Sequence, residues 1–215
     1  MSQYRANLLR DSVTTMNDLK NCIKRLYYFS MFDGGLELKS NNTARLRIVQ
    51  VEDKKEYLEY VGKTLDSLRI GFSINPKANA SGFKNSKPQL ILSTSQHPKL
   101  FQIRNRIYLN GHKVLDPHMI RFLDEEAFTI LFMADGSSSY ATRGSPQYYI
   151  HTNMLSYPEN CYLQIAIRER LGIDFNVVQN KGLWELRMRA SSLNRMLEVI
   201  EPHILECYAY KFKTQ

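Results

Sequence analysis

Hydrophobic and polar positions along this chain change period several times, and the order of the changes is repeated. The chain reads as a helix to about Phe32 and then breaks at Gly34-Gly35. Leu36 to Lys39 and Arg45 to Val51 alternate as strands about the turn-rich Ser40-Asn41-Asn42. In the second of these, Leu46 and Ile48 share one face, while Arg45, Arg47 and Val49 share the other. From Asp53, expected as an N-cap, the period becomes helical, with Tyr57, Leu58, Val61, Leu65 and Leu68 on one stripe. Gly71 to Ile74 and Gln89 to Ser93 return to strand around a polar Lys/Asn/Gly/Ser loop, and Pro98 to Tyr108 resumes helical spacing.

The second half repeats this order. Ala127 to Ala134 is an apolar helical run and Tyr148 to Thr152 a strand. Pro158 opens a helix with Tyr162, Leu163, Ala166, Ile167 and Leu171 on its apolar side, stopped by Gly172. Phe175 to Val178 and Leu183 to Met188 predict a hairpin around Asn180-Lys181-Gly182, and Leu193, Met196, Leu197, Ile200 and Ile204 a last amphipathic helix. Each half therefore predicts αββαββα. The fold class is α+β, with two pseudo-symmetric halves, 1–110 and 111–215. Antiparallel sheets of this kind bury one face on helices and leave the other wet.

Chemistry enters where the two apolar runs end. Both stop at Asp-Gly, at Asp33-Gly34 and Asp135-Gly136, and the two aspartates are separated by nearly half of the 215 residues. A carboxylate at a helix C-terminus sits at the unfavourable end of the dipole. Two such ends brought together hold two carboxylates side by side, which is costly unless a cation neutralises them. The plainer reading of Asp-Gly is a turn pair; the repetition favours a metal site.

Charge narrows the partner. The net charge is +8 with a pI near 9.3, and the basic residues are spread along the chain, which predicts a basic surface and points to nucleic acid. Cys22, Cys161 and Cys207 have no CxxC or Cys/His spacing for zinc and fit a reducing, intracellular compartment. The five histidines are scattered and read as surface or boundary residues. No apolar stretch is long enough to span a bilayer. Arg5 and Arg10, with Asp11 between them and the first helix, leave an organelle-targeting role for the first ten residues open, in a mitochondrion or a chloroplast.

On these two motifs, and on Leu123-Asp124-Glu125-Glu126-Ala127 leading into the second, the chain resembles the LAGLIDADG homing endonuclease family in its single-chain, two-motif form. The likeness runs roughly from Leu19 to Phe212, through Gln96-His97-Pro98-Lys99-Leu100-Phe101, Lys113 to Pro117, and Tyr210-Lys211-Phe212. It implies a monomer shaped as a saddle of antiparallel sheets with two central motif helices, acting as a site-specific double-strand DNA endonuclease. Asp33 and Asp135 would be the catalytic carboxylates, holding Mg²⁺ (or Mn²⁺) at the scissile phosphates. Lys113 and Lys211 would polarise the water network or steady the phosphorane charge. Glu37, Lys39, Arg45 and Arg47 in the first half, and Gln179, Glu185, Arg187 and Arg189 in the second, would read bases from the wet face.

The family uses small residues where its motif helices touch. This chain has Tyr28 and Phe32 there in motif one, and Ile130 with Ala134 in motif two. Bulk at that contact predicts helices pushed apart or shifted in register. Two other functions therefore stand beside the endonuclease. One is a retired descendant that binds structured RNA as an intron maturase or a structural ribonucleoprotein component. The other is a DNA-binding regulator on the same scaffold.

Overall fold

The computed structural model describes residues 15–77, 87–139 and 146–212, so the targeting question at the N-terminus and the polar loop after Lys77 lie outside the described residues. Helix α1 (Met16–Tyr28) starts in a capping box, with Asp18 accepting from the Thr15 N–H at 3.0 Å. It runs into a five-residue π turn, Phe29–Asp33, closed by a bond from the Gly34 N–H to the Phe29 carbonyl at 2.7 Å.

Strands β1 (Gly35–Ser40), β2 (Thr43–Val51), β3 (Phe72–Lys77) and β4 (Gln89–Thr94) form an antiparallel sheet in the order β1-β2-β4-β3. Helices α2 (Lys55–Ser67) and α3 (Pro98–Ile107) complete the first half. A two-residue-strand hairpin, β5 (Tyr108–Leu109) with β6 (His112–Lys113), and the short α4 (Pro117–Ile120) lead into α5 (Glu125–Asp135). The second sheet has the same order, β7-β8-β10-β9, from β7 (Gly136–Ser139), β8 (Gln147–Ile150), β9 (Phe175–Asn180) and β10 (Leu183–Met188). Helix α6 (Tyr157–Leu171) ends at Gly172, whose φ of 70° suits the left-handed C-cap, and α7 (Leu193–Ile200) is followed by a 3₁₀ segment, Glu206–Lys211. The expected αββαββα order is present twice.

Alternation decides which sheet face is covered. Ala44, Leu46, Ile48 and Leu92 are fully buried on the helix side of the first sheet, and Tyr148, Ile150, Phe175 and Leu186 do the same in the second. Each such side chain stabilises the fold by roughly 1.5–3 kcal/mol through burial. The Lys181-Gly182 turn has φ of 50° and 84°, the positive pair that a two-residue hairpin turn matching strand twist requires.

Two expectations need correction. Asp53 is not an N-cap: Glu52–Lys54 form a 3₁₀ turn before α2, and the Asp53 carboxylate accepts from Lys87 Nζ at 2.6 Å instead. The last helix stops at Ile200, short of Ile204. The four-residue strand β7, Gly-Ser-Ser-Ser, has no apolar alternation and is set by pairing with β8. Among the described residues no helix is long and apolar enough to cross a membrane.

Helices α1 and α5 pack side by side in the same direction. Buried Lys24 bonds Asp124 at 2.7 Å and Glu126 at 2.8 Å, and Arg25 pairs with Glu126 at 2.7 Å, joining matching positions of the two helices. Tyr60 of α2 donates to Glu126 at 2.9 Å. These cations and the start of the α5 dipole hold the Glu126 carboxyl down at about 2 against the opposing effect of burial. A parallel pair clamped between the second half of α1 and the first turn of α5, ahead of the π turn, delivers both C-termini to one place.

Candidate active site and sheet faces

At that place stand Asp33, on the π turn, and Asp135, on the last residue of α5. Neither glycine that follows leaves room for a side chain. A Cβ on Gly136 would meet the Phe132 carbonyl at 2.4 Å, and one on Gly34 would meet Leu46 at 2.5 Å. Asp-Gly is therefore a packing requirement where helix turns into strand. Both carboxyl groups are pushed up from the ordinary aspartate value, first by burial; Asp135 reaches about 7, with the Asp33 charge adding to the effect. Asp33 Oδ2 and Asp135 Oδ2 are both buried and lack a hydrogen-bond partner among the described residues.

The two lysines occupy equivalent stations. Lys113 Nζ donates to the Met31 and Gly34 carbonyls, each at 2.7 Å. Lys211 Nζ donates to those of Phe132, Met133 and Gly136 at 3.2, 2.7 and 2.6 Å. Each thus ties down the carbonyls at the end of one motif helix, where the dipole favours a cation. Burial lowers both ammonium pKa values, Lys211 to about 8, while both aspartates pull them back up. The segment carrying Lys211 is docked on the first half: Tyr208 meets Tyr57 edge-on at 5.5 Å, and Lys54 lies 4.2 Å above the Tyr208 ring and bonds the Cys207 carbonyl.

Aromatic bulk does not part the motif helices. Tyr28 is fully buried with its hydroxyl directed at the Met119 carbonyl, 3.4 Å away, and its ring stands 6.0 Å from Phe32. The helix ends stay packed, and the turn that contains Phe32 is the one that widens to π geometry.

Sequence reasoning overlooked Gln50. It lies on the core side of β2 after Leu46 and Ile48, and its Nε2 donates to Asp33 Oδ1 at 2.9 Å. A polar residue continuing an apolar face was the available signal. The Tyr57 hydroxyl also faces Asp33 and favours its ionised form, although neither Tyr57 OH nor Asp33 Oδ2 completes a hydrogen bond of ordinary geometry.

On the open face of the first sheet, Glu37 gathers the other three expected readers, Lys39 at 2.9 Å, Arg45 at 2.6 Å and Arg47 at 2.9 Å, and its own carboxyl falls to about 2, most through Lys39. Cross-strand register adds Ser73, Asn75, Lys77, Gln89 and Ser93 to the same face. The second sheet adds two details. Gln179 pairs in register with Trp184, which contacts Tyr157 of α6, yet near the end of β9 it is exposed and lines the same shallow concavity as Glu185 and Arg187. Glu185 is on the open face but only 4% exposed, because it accepts from or pairs with His151 Nδ1 at 2.8 Å. His151 Nε2 in turn meets Ser137 Oγ at 2.7 Å, so His151, expected as an ordinary boundary residue, presents the outer edge of this network. Arg187 and Arg189 are exposed, Arg189 donating to Asn176 at 3.0 Å.

Known proteins share this architecture. The structure of the homing endonuclease I-WcaI bound to its DNA recognition sequence superposes with a TM-score of 0.75 at 17% identity, over 97% of each chain. The meganuclease I-SmaMI bound to uncleavable DNA gives 0.59 at 10% identity, over 87% of this chain and 85% of that one. A variant of I-DmoI in complex with nicked target DNA and Mn gives 0.55 at 14%, over 87% and 99%. At these identities the likeness shows the fold. Residues 31–196 match the LAGLIDADG DNA endonuclease family itself. With that match spanning most of its length, the chain belongs to the LAGLIDADG DNA endonuclease family.

Proposed function

We propose that this protein is a site-specific double-strand DNA endonuclease that holds a divalent cation at Asp33 and Asp135. The observation that carries the reading is the pair of buried, unpartnered carboxylate oxygens at adjacent helix ends, flanked by Lys113 and Lys211. Among the described residues no group of three or more His, Cys, Asp or Glu could hold a metal. Two carboxylates fit Mg²⁺ or Mn²⁺ nonetheless, since such ions keep several waters and take substrate phosphates as further ligands. When bound, the ion supplies Lewis acidity and a water of lowered pKa.

The chain's own residues bind, orient and compensate charge. Lys211 spends all three N–H groups on carbonyls, so it acts on a phosphate only as a fixed positive charge. Lys113 uses two and keeps one donor to aim into the site. Arg45, Arg47, Arg187 and Arg189 supply phosphate and base contacts on the open sheet faces. The DNA-bound state of I-WcaI and the Mn present with I-DmoI support this assignment.

The test is cleavage of a random duplex library with Mg²⁺ or Mn²⁺. Asp33→Asn and Asp135→Asn should each slow cutting of one strand by about 100-fold or more, several kcal/mol of barrier, and leave duplex binding intact. A wild-type protein that binds duplex DNA but cuts none with either ion defeats the enzyme reading and leaves a retired nuclease.

A further inference from the structure

The open face of the second sheet carries a polar relay that the first sheet lacks. Ser137 stands two residues beyond Asp135 in β7, and the His151 backbone N–H bonds the Asp135 carbonyl at 2.9 Å, so both lie beside the carboxylate centre. From the surface inward, Ser137 Oγ meets His151 Nε2 at 2.7 Å, and His151 Nδ1 meets Glu185 Oε2 at 2.8 Å. Tyr149 flanks the imidazole with its ring parallel to within 4° at 6.3 Å. Ser137, Tyr149, His151, Glu185 and Arg187 line one concavity of about 430 Å³. The matching station of the first half is apolar. Gly35 pairs with Arg47 as Ser137 pairs with Tyr149, and it has open space where a side chain would stand. Val49, as far beyond Asp33 as His151 is beyond Asp135, faces Ile91 across the strands. Gly35, Val49 and Ile91 offer no side-chain hydrogen bond.

The relay fixes the direction of each hydrogen bond in it. A carboxylate can only accept, so the neutral imidazole places its one hydrogen on Nδ1, toward buried Glu185. Nε2 is then bare and accepts from the Ser137 hydroxyl. That hydroxyl has turned its hydrogen inward and offers only lone pairs outward. In the major groove such an acceptor finds a donor on adenine N6 or cytosine N4, whereas guanine presents N7 and O6 and thymine O4, all acceptors. An acceptor set against an acceptor leaves both unpaired.

We infer that Ser137 selects adenine or cytosine at one base position beside the cleavage centre, with His151 and Glu185 as positioning residues that fix the polarity of its hydroxyl. The first half makes no such demand at its matching position, so the target is chemically asymmetric about its middle. The inference rests on the duplex-DNA reading above and adds to it the base chemistry of one position.

Selection of bound sequences from a random duplex library tests it, at pH 8 without divalent metal so that cleavage plays no part. The wild type should favour adenine or cytosine about tenfold over guanine or thymine at one position. Ser137→Ala should reduce that preference to within about twofold and leave the other positions unchanged. Glu185→Gln is the sharper variant. Its amide can donate to Nδ1, which lets the ring hydrogen move to Nε2 and frees the Ser137 O–H to point outward, so the same position should now admit guanine and thymine. An unchanged thermal transition would show that each variant folds. The proposal is overturned if Ser137→Ala keeps every preference of the wild type, if the position it relaxes favours guanine or thymine in the wild type, or if folded Glu185→Gln keeps the wild-type choice there. A protein that selects no duplex sequence at all removes the DNA reading itself, and this inference with it.

Discussion

The two motif ends solve one problem in different ways. At the second, α5 stays α-helical to Asp135, and the Gly136 N–H returns to Phe132 four residues back. At the first, the closing bond from Gly34 spans five residues, and Ser30 Oγ is fully buried without a partner among the described residues. The wide turn falls where the first motif has Phe32 and the second has Ala134, so extra bulk is absorbed by an extra residue in the turn rather than by separation of the helices. The carboxylates differ too. Asp33 has Gln50 as a donor; the residue equally far beyond Asp135 is Thr152, whose hydroxyl turns to Asn160. The lysine anchors are alike. Delivery of two carboxylates and neutralisation of two helix ends are therefore shared, while support of each carboxylate is not.

Replacing the anchors tests the shared part and carries the largest effect. Lys211→Met strands three helix-end carbonyls and removes a buried cation from beside two carboxylates, and the expected loss is about 3–5 kcal/mol in chemical denaturation. Lys113→Met frees two carbonyls at a half-buried site and should cost less. Equal and negligible losses from both would mean that the ends need no anchor.

A second experiment isolates Asp135 in metal-free protein. Its folded pKa of about 7 lies above the ordinary value of 3.8. Between these two values the folded state holds a proton that the unfolded chain has released, so stability rises as pH falls through 7 and the gain is complete near 4. Asp135→Asn should be the more stable protein at pH 8, by on the order of 2–4 kcal/mol, and the difference should close toward pH 4. Glu37 and Glu126, held near 2 when folded, lose their own stabilising contribution as the unfolded chain protonates below about pH 5, but they do so in both proteins and cancel in the difference between them. A variant no more stable than wild type at pH 8 would show that the carboxylate is not strained by its surroundings.

How far these features were legible follows from what made each one. Period and punctuation carried the αββαββα order, because burial of one face imposes alternation on Leu46 and Ile48 and a helical stripe on Tyr57 to Leu68. They could not carry β7, whose serines are strand only because β8 pairs with them, nor Asp53, where a 3₁₀ turn took the place of the cap. Asp33 and Asp135 were visible as a repeated Asp-Gly. Gln50 was hidden because its role depends on which carboxylate β2 runs beside. Glu185 was misjudged for a related reason: alternation predicts a face, but not that His151 will cover the carboxylate on it.

The smallest effect is the one that separates the halves most directly. Gln50→Ala removes the Asp33 hydrogen bond of 2.9 Å and leaves the lysines and the packed helix ends in place. A bond to an ionised carboxylate is worth about 1.5–3 kcal/mol, so cutting at the Asp33 side should slow by roughly ten- to a hundredfold. Among the described residues the Asp135 side has no such side-chain donor to lose, and its rate should hold. Duplexes labelled separately on each strand would then accumulate a nicked intermediate, always on the same strand. Thr152→Val is the matching change in the second half. It breaks the bond to Asn160 and should lower stability by about 1–3 kcal/mol without biasing the nick. Equal slowing of both strands by Gln50→Ala would erase the difference, because it would mean that the two carboxylates act as one coupled unit whose support from β2 is shared.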